Sequence, residues 1–497
     1  MAGCLFLISF VCSISFVGLL VLVSYFEHAD PLARGVELLP DSQNSEPLVA
    51  PCVAEGGDLV DELGGSESVE LGLGGAENLQ INKRKGNSEI CKQRKGKRVQ
   101  QQTFDLLDEI LWEILLWLPV ESLARFSTVS KAWLAIISDP SFVPAHLQCS
   151  KQKQHQNPSS FLITPQFLMK PGRAKAFSTN IYQWCLQKDM RSTATLLYGR
   201  NFSVGEFQAV SPMAHCDGLI LLPTNTKVYV FNPATKDALA LPESQRNLSW
   251  RHKCLPAGLG LDTSTGKYKV ARSFYRCRDY DPKQIITMGM EVFTINGEHG
   301  YWRETLVDPP YPILISQTAT HFKGYLFYFI NKNNQQHPPQ GLLRFSLLDE
   351  TFGVAPLLPN MHPTVEDESI FVNVLDGELC ASFFSKLLQR ILVFTTRHVV
   401  DPEWTCRYII NVEEHCYPMT SLGSGGILLR GGNCLLGYNL KAHTVEEGEI
   451  FDMDDIRYLG PSEDTLGHAW EDVSFFHVIS YTESLVPVTP KANSRAL

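Results

Sequence analysis

Three reactive side-chain types stand together at His215-Cys216-Asp217, the types from which a nucleophile, its base and an orienting carboxylate are built. Adjacent residues on a strand point to opposite faces, so these three cannot converge on one reacting atom. An Asp-Gly turn beside a buried thiol fits them better. His398, His415 and His443 are isolated, and no spacing matches a zinc site. Gly258-Leu-Gly260 with Gly266 lies within a hairpin rather than between a strand and a helix, so it is no dinucleotide fingerprint. The thirteen cysteines are odd in number, scattered and never spaced Cys-x-x-Cys. That pattern suits free thiols in a reducing compartment better than a disulfide framework. The expectation is therefore a non-enzyme with no catalytic residue, metal or cofactor, whose surfaces bind.

Composition sets outer bounds. A chain of 497 residues, 44% hydrophobic and 19% charged, has room for two or three ordinary folded domains. A net charge of -10 argues against a nucleic-acid binder, which would want a basic face.

The stretch that organises the rest is FDLLDEILWEILLWLPVESLARFSTVSKAWLAIISDPSFVPAHL, residues 104–147. Leu107, Ile110, Leu111, Ile114, Leu115 and Leu118 recur at steps of three and four, along one side of a helix that Asp105 and Asp108 start and Pro119 ends. A second short helix carries Leu123 and Phe126. A third carries Val129, Trp133, Ile136 and Ile137 and stops at Asp139-Pro140. Three helices of this size can hardly bury all that apolar surface among themselves, so one face is left for a partner.

At Leu106, Asp108, Ile110, Leu111, Glu113, Ile114, Leu115, Leu118-Pro119, Ser122-Leu123, Arg125-Phe126, Val129-Ser130-Lys131, Trp133, Ile137 to Pro140, Phe142 and His146-Leu147 the stretch resembles the F-box, the adaptor-binding motif of cullin-type ubiquitin ligases. Leu107 stands where the family usually has proline, Trp117 where a basic or polar residue is usual, and Leu134 where arginine is usual. The resemblance implies that Leu106, Ile110, Leu111, Ile114, Leu118, Pro119, Leu123, Val129 and Trp133 help hold a Skp-type adaptor, some directly and some by packing the helices.

Upstream, residues 4–26 carry no charge and are long enough to cross a bilayer as a helix, as an anchor or a signal segment. Residues 27–102 read as a disordered linker, Gly- and acid-rich from Pro51 to Glu77. Lys83 to Arg98 holds two basic clusters that resemble a bipartite nuclear-import signal, and in an anchored form they could instead rest on anionic lipid.

From about Phe161 to Leu485 the texture is β, in units that resemble one another. Cys216-Asp217-Gly218, Phe322-Lys323-Gly324 and Leu375-Asp376-Gly377 each lead into a strand and then a second strand, and a fourth unit runs through GILLRGGNCLLGYNLKAHTVEE. Repeated hairpins of this kind predict a β-propeller of six or seven blades, with a β-sandwich as the rival. The terminal strand, Phe475 to Ser480, is expected to pair beside an early one and close the ring. FNPATKDALALP at 231–242, GLGLDTSTGKYKVA at 258–271 and FHVISYTESLVPV at 476–488 are similar to the F-box-associated domain of plant F-box proteins, especially those of grasses.

The expected fold class is α+β multidomain, a small three-helix F-box at 103–148 followed by an all-β repeat domain at 160–486 and a tail at 487–497. The resemblance implies a substrate-recognition subunit of a SKP-cullin-F-box ubiquitin ligase, with the adaptor and, through it, cullin and a RING protein as partners, plus an unknown target protein. It would work in the cytoplasm or nucleus, or from a membrane with residues 4–26 as anchor and the F-box facing the cytosol. The Pro-rich segment 308–312 and residues 331–341 are candidate target loops. Two alternatives stay open. One is a membrane-anchored propeller acting as a receptor or lectin, with glycosylation sequons at Asn201 and Asn247. The other is a propeller enzyme.

Overall fold

Among the described residues, four helices lead into the β region. α1 (Asp108–Leu116) turns Leu111 and Leu115 inward, and its end tightens through bonds from the Trp117 and Leu118 amides to the Ile114 and Leu115 carbonyls. Pro119, in extended conformation, then caps α2 (Val120–Phe126), whose Val120 and Leu123 are buried. Ser130 Oγ accepts from the Trp133 amide at 3.2 Å and so starts α3 (Lys131–Ile137). The fourth helix, α4 (Phe142–Gln156), extends the expected three. Its second half, QCSKQKQHQ, has little apolar periodicity, so it leaves no helical signature in the sequence. Phe142 anchors it, fully buried and set edge-on against Trp112 with ring centroids 5.0 Å apart.

This computed structural model describes residues 108–489 except 157–159, 168–176, 187–192, 203–212, 225, 247–248, 251–252, 277–286, 316–317, 333–337, 358–369, 387, 413, 423–424 and 461–472. The hydrophobic segment 4–26, the linker 27–102, its basic clusters and Leu106 lie outside the described residues.

The β region is a six-bladed propeller. β1 (Ser160–Phe167), β2 (Phe177–Cys185) and β3 (Thr193–Phe202) belong to the first blade, whose innermost strand is the chain's last, β27 (Val473–Ser480). β27 runs antiparallel to β1, with Phe161 opposite Ser480 and Ile163 opposite Val478, so the ring closes as the terminal motif predicts. β26 (Arg457–Leu459) lies parallel to β3 and covers that blade's outer edge.

The second blade is β4 (Ala214–Cys216), β5 (Leu219–Pro223), β6 (Val228–Asn232) and β7 (Asp237–Ala240). A small hairpin of β8 (Ser249–Trp250) and β9 (Lys253–Cys254) precedes the third blade, β10 (Ala257–Asp262), β11 (Lys267–Tyr275), β12 (Met288–Thr294) and β13 (Arg303–Glu304). The fourth comprises β14 (Thr320–Phe322), β15 (Tyr325–Phe329), β16 (Gly341–Ser346) and β17 (Phe352–Pro356). β18 (Ile370–Leu375), β19 (Glu378–Ser385), β20 (Arg390–Thr396) and β21 (Thr405–Asn411) make the fifth. The sixth is β22 (Tyr417–Ser421), β23 (Gly426–Gly431), β24 (Cys434–Asn439) and β25 (Thr444–Asp452). Each repeat unit read from the sequence falls within one blade.

The turns explain why the units were visible. Asp217-Gly218, Lys323-Gly324 and Asp376-Gly377 all have positive φ at both residues, the geometry that two-residue hairpins demand. At Gly218 there is a second constraint, because an added Cβ would lie 2.6 Å from the Thr482 carbonyl oxygen.

Among the described residues, six apolar clusters fill the junctions between blades. The junction of the second and third blades also takes in Leu147 of α4 with Val486 and Val488, so the chain stays packed past the expected end of the domain. Asn232, fully buried, holds that terminal segment: its amide donates to the Ser484 and Val486 carbonyls at 2.8 and 3.0 Å and its oxygen accepts from the Ala234 amide. Asp237 likewise accepts from the Val488 and Thr489 amides.

Asn232→Ala should therefore lower stability by about 2–4 kcal/mol, because two buried carbonyls lose their donor. The urea midpoint of the full chain measures it, and a midpoint unmoved from wild type would contradict this role.

Candidate functional site

Two surfaces deserve the description of a site: the helical module with its seat on the ring, and the central channel.

In the module, the residues named from the F-box resemblance divide by burial. Leu111, Leu118 and Leu123 are inside, with Leu118 8% exposed and Leu123 fully buried. Ile110 and Val129 are on the surface at 47% and 45%, Pro119 is exposed, and Ile114 and Trp133 are half-buried. Leu134, 47% exposed, joins them although the sequence reading did not name it as a contact. Trp133 is held edge-on by Phe126 at 5.0 Å. Trp117 is covered in part by Lys153, whose Nζ lies 4.8 Å from the ring centroid and donates to the Trp117 carbonyl. Inside, the His146 Nε2 proton bonds the Leu118 carbonyl at 2.9 Å, and burial lowers the His146 pKa, which favours the neutral ring.

The module is tied to the ring at several points. Val120, first residue of α2, donates its amide to Glu483 Oε2 at 3.1 Å. Gln154 of α4 donates to the Ser160 carbonyl and to Ser480 Oγ, on the two strands that close the ring. Lys151 pairs with Asp217 at 2.6 Å. Burial raises the Glu483 pKa, against the lowering effects of the Val120 amide and Lys153.

The channel runs between the innermost strands. At one end lies a cavity of about 420 Å³ walled by Lys151, Gln154 and His155 of α4 and by the turns at Asp217 and Asp376. The other end opens to a cavity of about 470 Å³ beside the first residues of β4, β14, β18 and β22. His215 borders both. It shows accessible surface although protein surrounds it, because the surface it exposes is channel wall.

His215, Cys216 and Asp217 do not act together. Cys216 instead meets a residue that sequence reasoning missed, His321, whose Nδ1 lies 3.3 Å from its sulfur. This is no activated dyad. His321 Nε2 accepts from the Leu261 and Gly324 amides at 3.3 Å each, so the ring proton sits on Nδ1 and points at sulfur. Burial pushes His321 down to about 4 and the Cys216 thiol well up, further helped by Asp217. A thiol that stays protonated beside a histidine already carrying its proton has no base. Asp217 is occupied by Tyr268, whose hydroxyl donates at 2.9 Å, and by Lys151. Among the described residues no group of three or more His, Cys, Asp or Glu is placed to hold a metal, and no helix is long and apolar enough to cross a membrane.

The structure is a small helical module fixed to one end of a closed propeller. Family models agree: residues 104–144 match the F-box domain and residues 193–488 the F-box associated beta propeller domain. The chain belongs to the F-box-associated β-propeller family and is an F-box protein of plant type. Two Arabidopsis thaliana proteins described as F-box/kelch-repeat proteins are 24% identical over 326 residues and 26% over 309, covering 63% and 58% of this chain and 73% and 68% of theirs. An A. thaliana F-box protein is 33% identical over 177 residues, 36% of this chain and 42% of its own.

Two outcomes follow. Iodoacetamide at neutral pH should label exposed Cys406 in the native chain and leave Cys216 unlabelled, as mass spectrometry of the peptides would show. For Glu483, a raised folded pKa means stability present below the ordinary carboxyl value of ~4.3 and lost as pH rises through the raised one. Glu483→Gln keeps an acceptor for Val120 without the charge. Its melting temperature relative to wild type should climb between pH 4 and pH 7, and a falling margin would refute the sign.

Proposed function

We propose that this chain is the substrate-recognition subunit of a SKP-cullin-F-box ubiquitin ligase. The observation that carries the reading is the exposure of the apolar side chains Ile110, Val129 and Leu134 on a module too small to bury them. With half-buried Ile114 and Trp133 and exposed Pro119, they form the face offered to a Skp-type adaptor, while Leu111, Leu118 and Leu123 support it from inside. Leu106 is assigned to the same face from the F-box pattern.

Cullin and a RING protein follow through the adaptor, and the propeller takes the target. The chain itself supplies no chemistry in this reading. Its contribution is proximity: the ties through Glu483, Gln154 and Lys151 hold the propeller at a set angle to the adaptor, which keeps a bound target's lysines near the charged ubiquitin carrier. Among the expected target loops, 308–312 is braced by Arg276, whose Nε donates to Asp308 at 2.9 Å. Cytoplasm or nucleus suits this role, with an anchor at residues 4–26 compatible if the F-box faces the cytosol.

Ile110→Asp should cut capture of the adaptor and cullin at least tenfold while the melting temperature stays at the wild-type value. Capture from cytosolic and solubilised membrane extracts, compared side by side, would report where the complex lives. Undiminished capture by this variant would sink the contact face. Leu118→Asp is the weaker probe, because a charge at that buried position disrupts the module itself.

A further inference from the structure

We propose that the channel mouth away from the helical module is a binding site for a small organic anion, a carboxylate borne on an apolar body. The cavity there, about 470 Å³, is of the size that takes such ligands. Its walls have the matching character. Phe329, Phe371 and Tyr417 supply apolar surface, with Phe371 and Tyr417 stacked at 3.9 Å between centroids. Among the described residues, no Asp or Glu lines it, although the chain as a whole carries a net charge of -10.

One cation does line it. Arg430, 7% exposed, donates from Nη2 to the Phe476 carbonyl and lies over the Tyr417 ring at 5.8 Å, with no described carboxylate as partner. Arg272, the other arginine buried among the described residues, is neutralised by Glu291. A guanidinium withdrawn from water without a counter-charge is costly, and a carboxylate is the group whose geometry it fits. The imidazoles of His215 and His477 border the same cavity. Burial, then Arg430 and His215, drive His477 down to about 3, so at neutral pH it offers an uncharged N–H. Among the described residues, Asn373 Oδ1 is a buried acceptor without a partner, suited to a hydroxyl on the ligand. Each of these residues sits on one of the two inner strands of its blade, so the site is built into the ring itself.

The test uses the full chain and three acid–amide pairs: benzoate, 2-naphthoate and 6-hydroxy-2-naphthoate, each against its carboxamide, with titration calorimetry as the readout. At least one acid should bind tenfold or more tightly than its amide, and Arg430→Met should abolish that preference. His477→Phe should weaken the acid severalfold, a second check if Arg430→Met does not fold. If no acid outbinds its amide on the unaltered chain, the charge of Arg430 is met within the protein and the proposal is overturned. Tighter binding of the capped peptide acetyl-Phe-Glu-Phe-amide than of every small acid would likewise overturn it, in favour of a target side chain as the source of the carboxylate. Adaptor capture plays no part in this readout, so the site and the ligase reading stand or fall separately.

Discussion

Ring closure is the constraint on which the rest of the structure depends. An open stack of four-stranded sheets would end in two unpaired edges and two bare apolar faces, and both would invite association. Here the last strand, β27, lies against β1 and supplies the innermost position of the first blade, so residues 160 and 480 become neighbours. Phe161, Trp184 and Phe476 then fill the junction between first and sixth blades without exposed surface. Hydrogen bonds carry the closure around the centre, from Thr320 to the Val372 carbonyl, from Asn373 to Pro418 and from Arg430 to Phe476.

The same closure decides where the helical module sits. The chain enters the ring from α4 directly into β1 and leaves β27 at the same end, so module and terminal segment meet there. Gln154 bridges the two strands, Glu483 takes the first amide of α2, and Leu147 shares a core with Val486 and Val488. These contacts draw on both the first and the last strand of the ring and on the segment that follows it. A module held this way is packed against the propeller and not merely joined to it through the chain.

The channel shows how position converts reactive residue types into structural ones. Cys216 and His321 are within contact distance, yet two backbone amides consume the nitrogen that would act as base. Asp217 is taken by Tyr268 and Lys151. Arg430 and His477 differ in facing open volume with their charge or donors committed to no described carboxylate, and that separates the distal mouth from the satisfied end under α4.

Much of this was legible in the chain. Turn residues with positive φ at Asp217-Gly218, Lys323-Gly324 and Asp376-Gly377 mark hairpins locally, Pro119 and Asp139-Pro140 punctuate the helices, and the F-box pattern spans residues set within a few positions of one another. Such signals survive in sequence because backbone sterics and helix periodicity act over a handful of residues. The second half of α4 left none, since tertiary contacts rather than an apolar stripe stabilise it. Nor did the division of the F-box leucines into support and surface, because a stripe shows which side is apolar but not how much of it neighbours will cover. The pairing of Cys216 with His321 across 105 residues, of Val120 with Glu483 across 363, and the place of Arg430 in the channel wall all depend on six blades meeting at a common axis. The sequence by itself determined the elements and their order. Which residues face one another was decided only by the closed ring, whose geometry is a property of all the blades together.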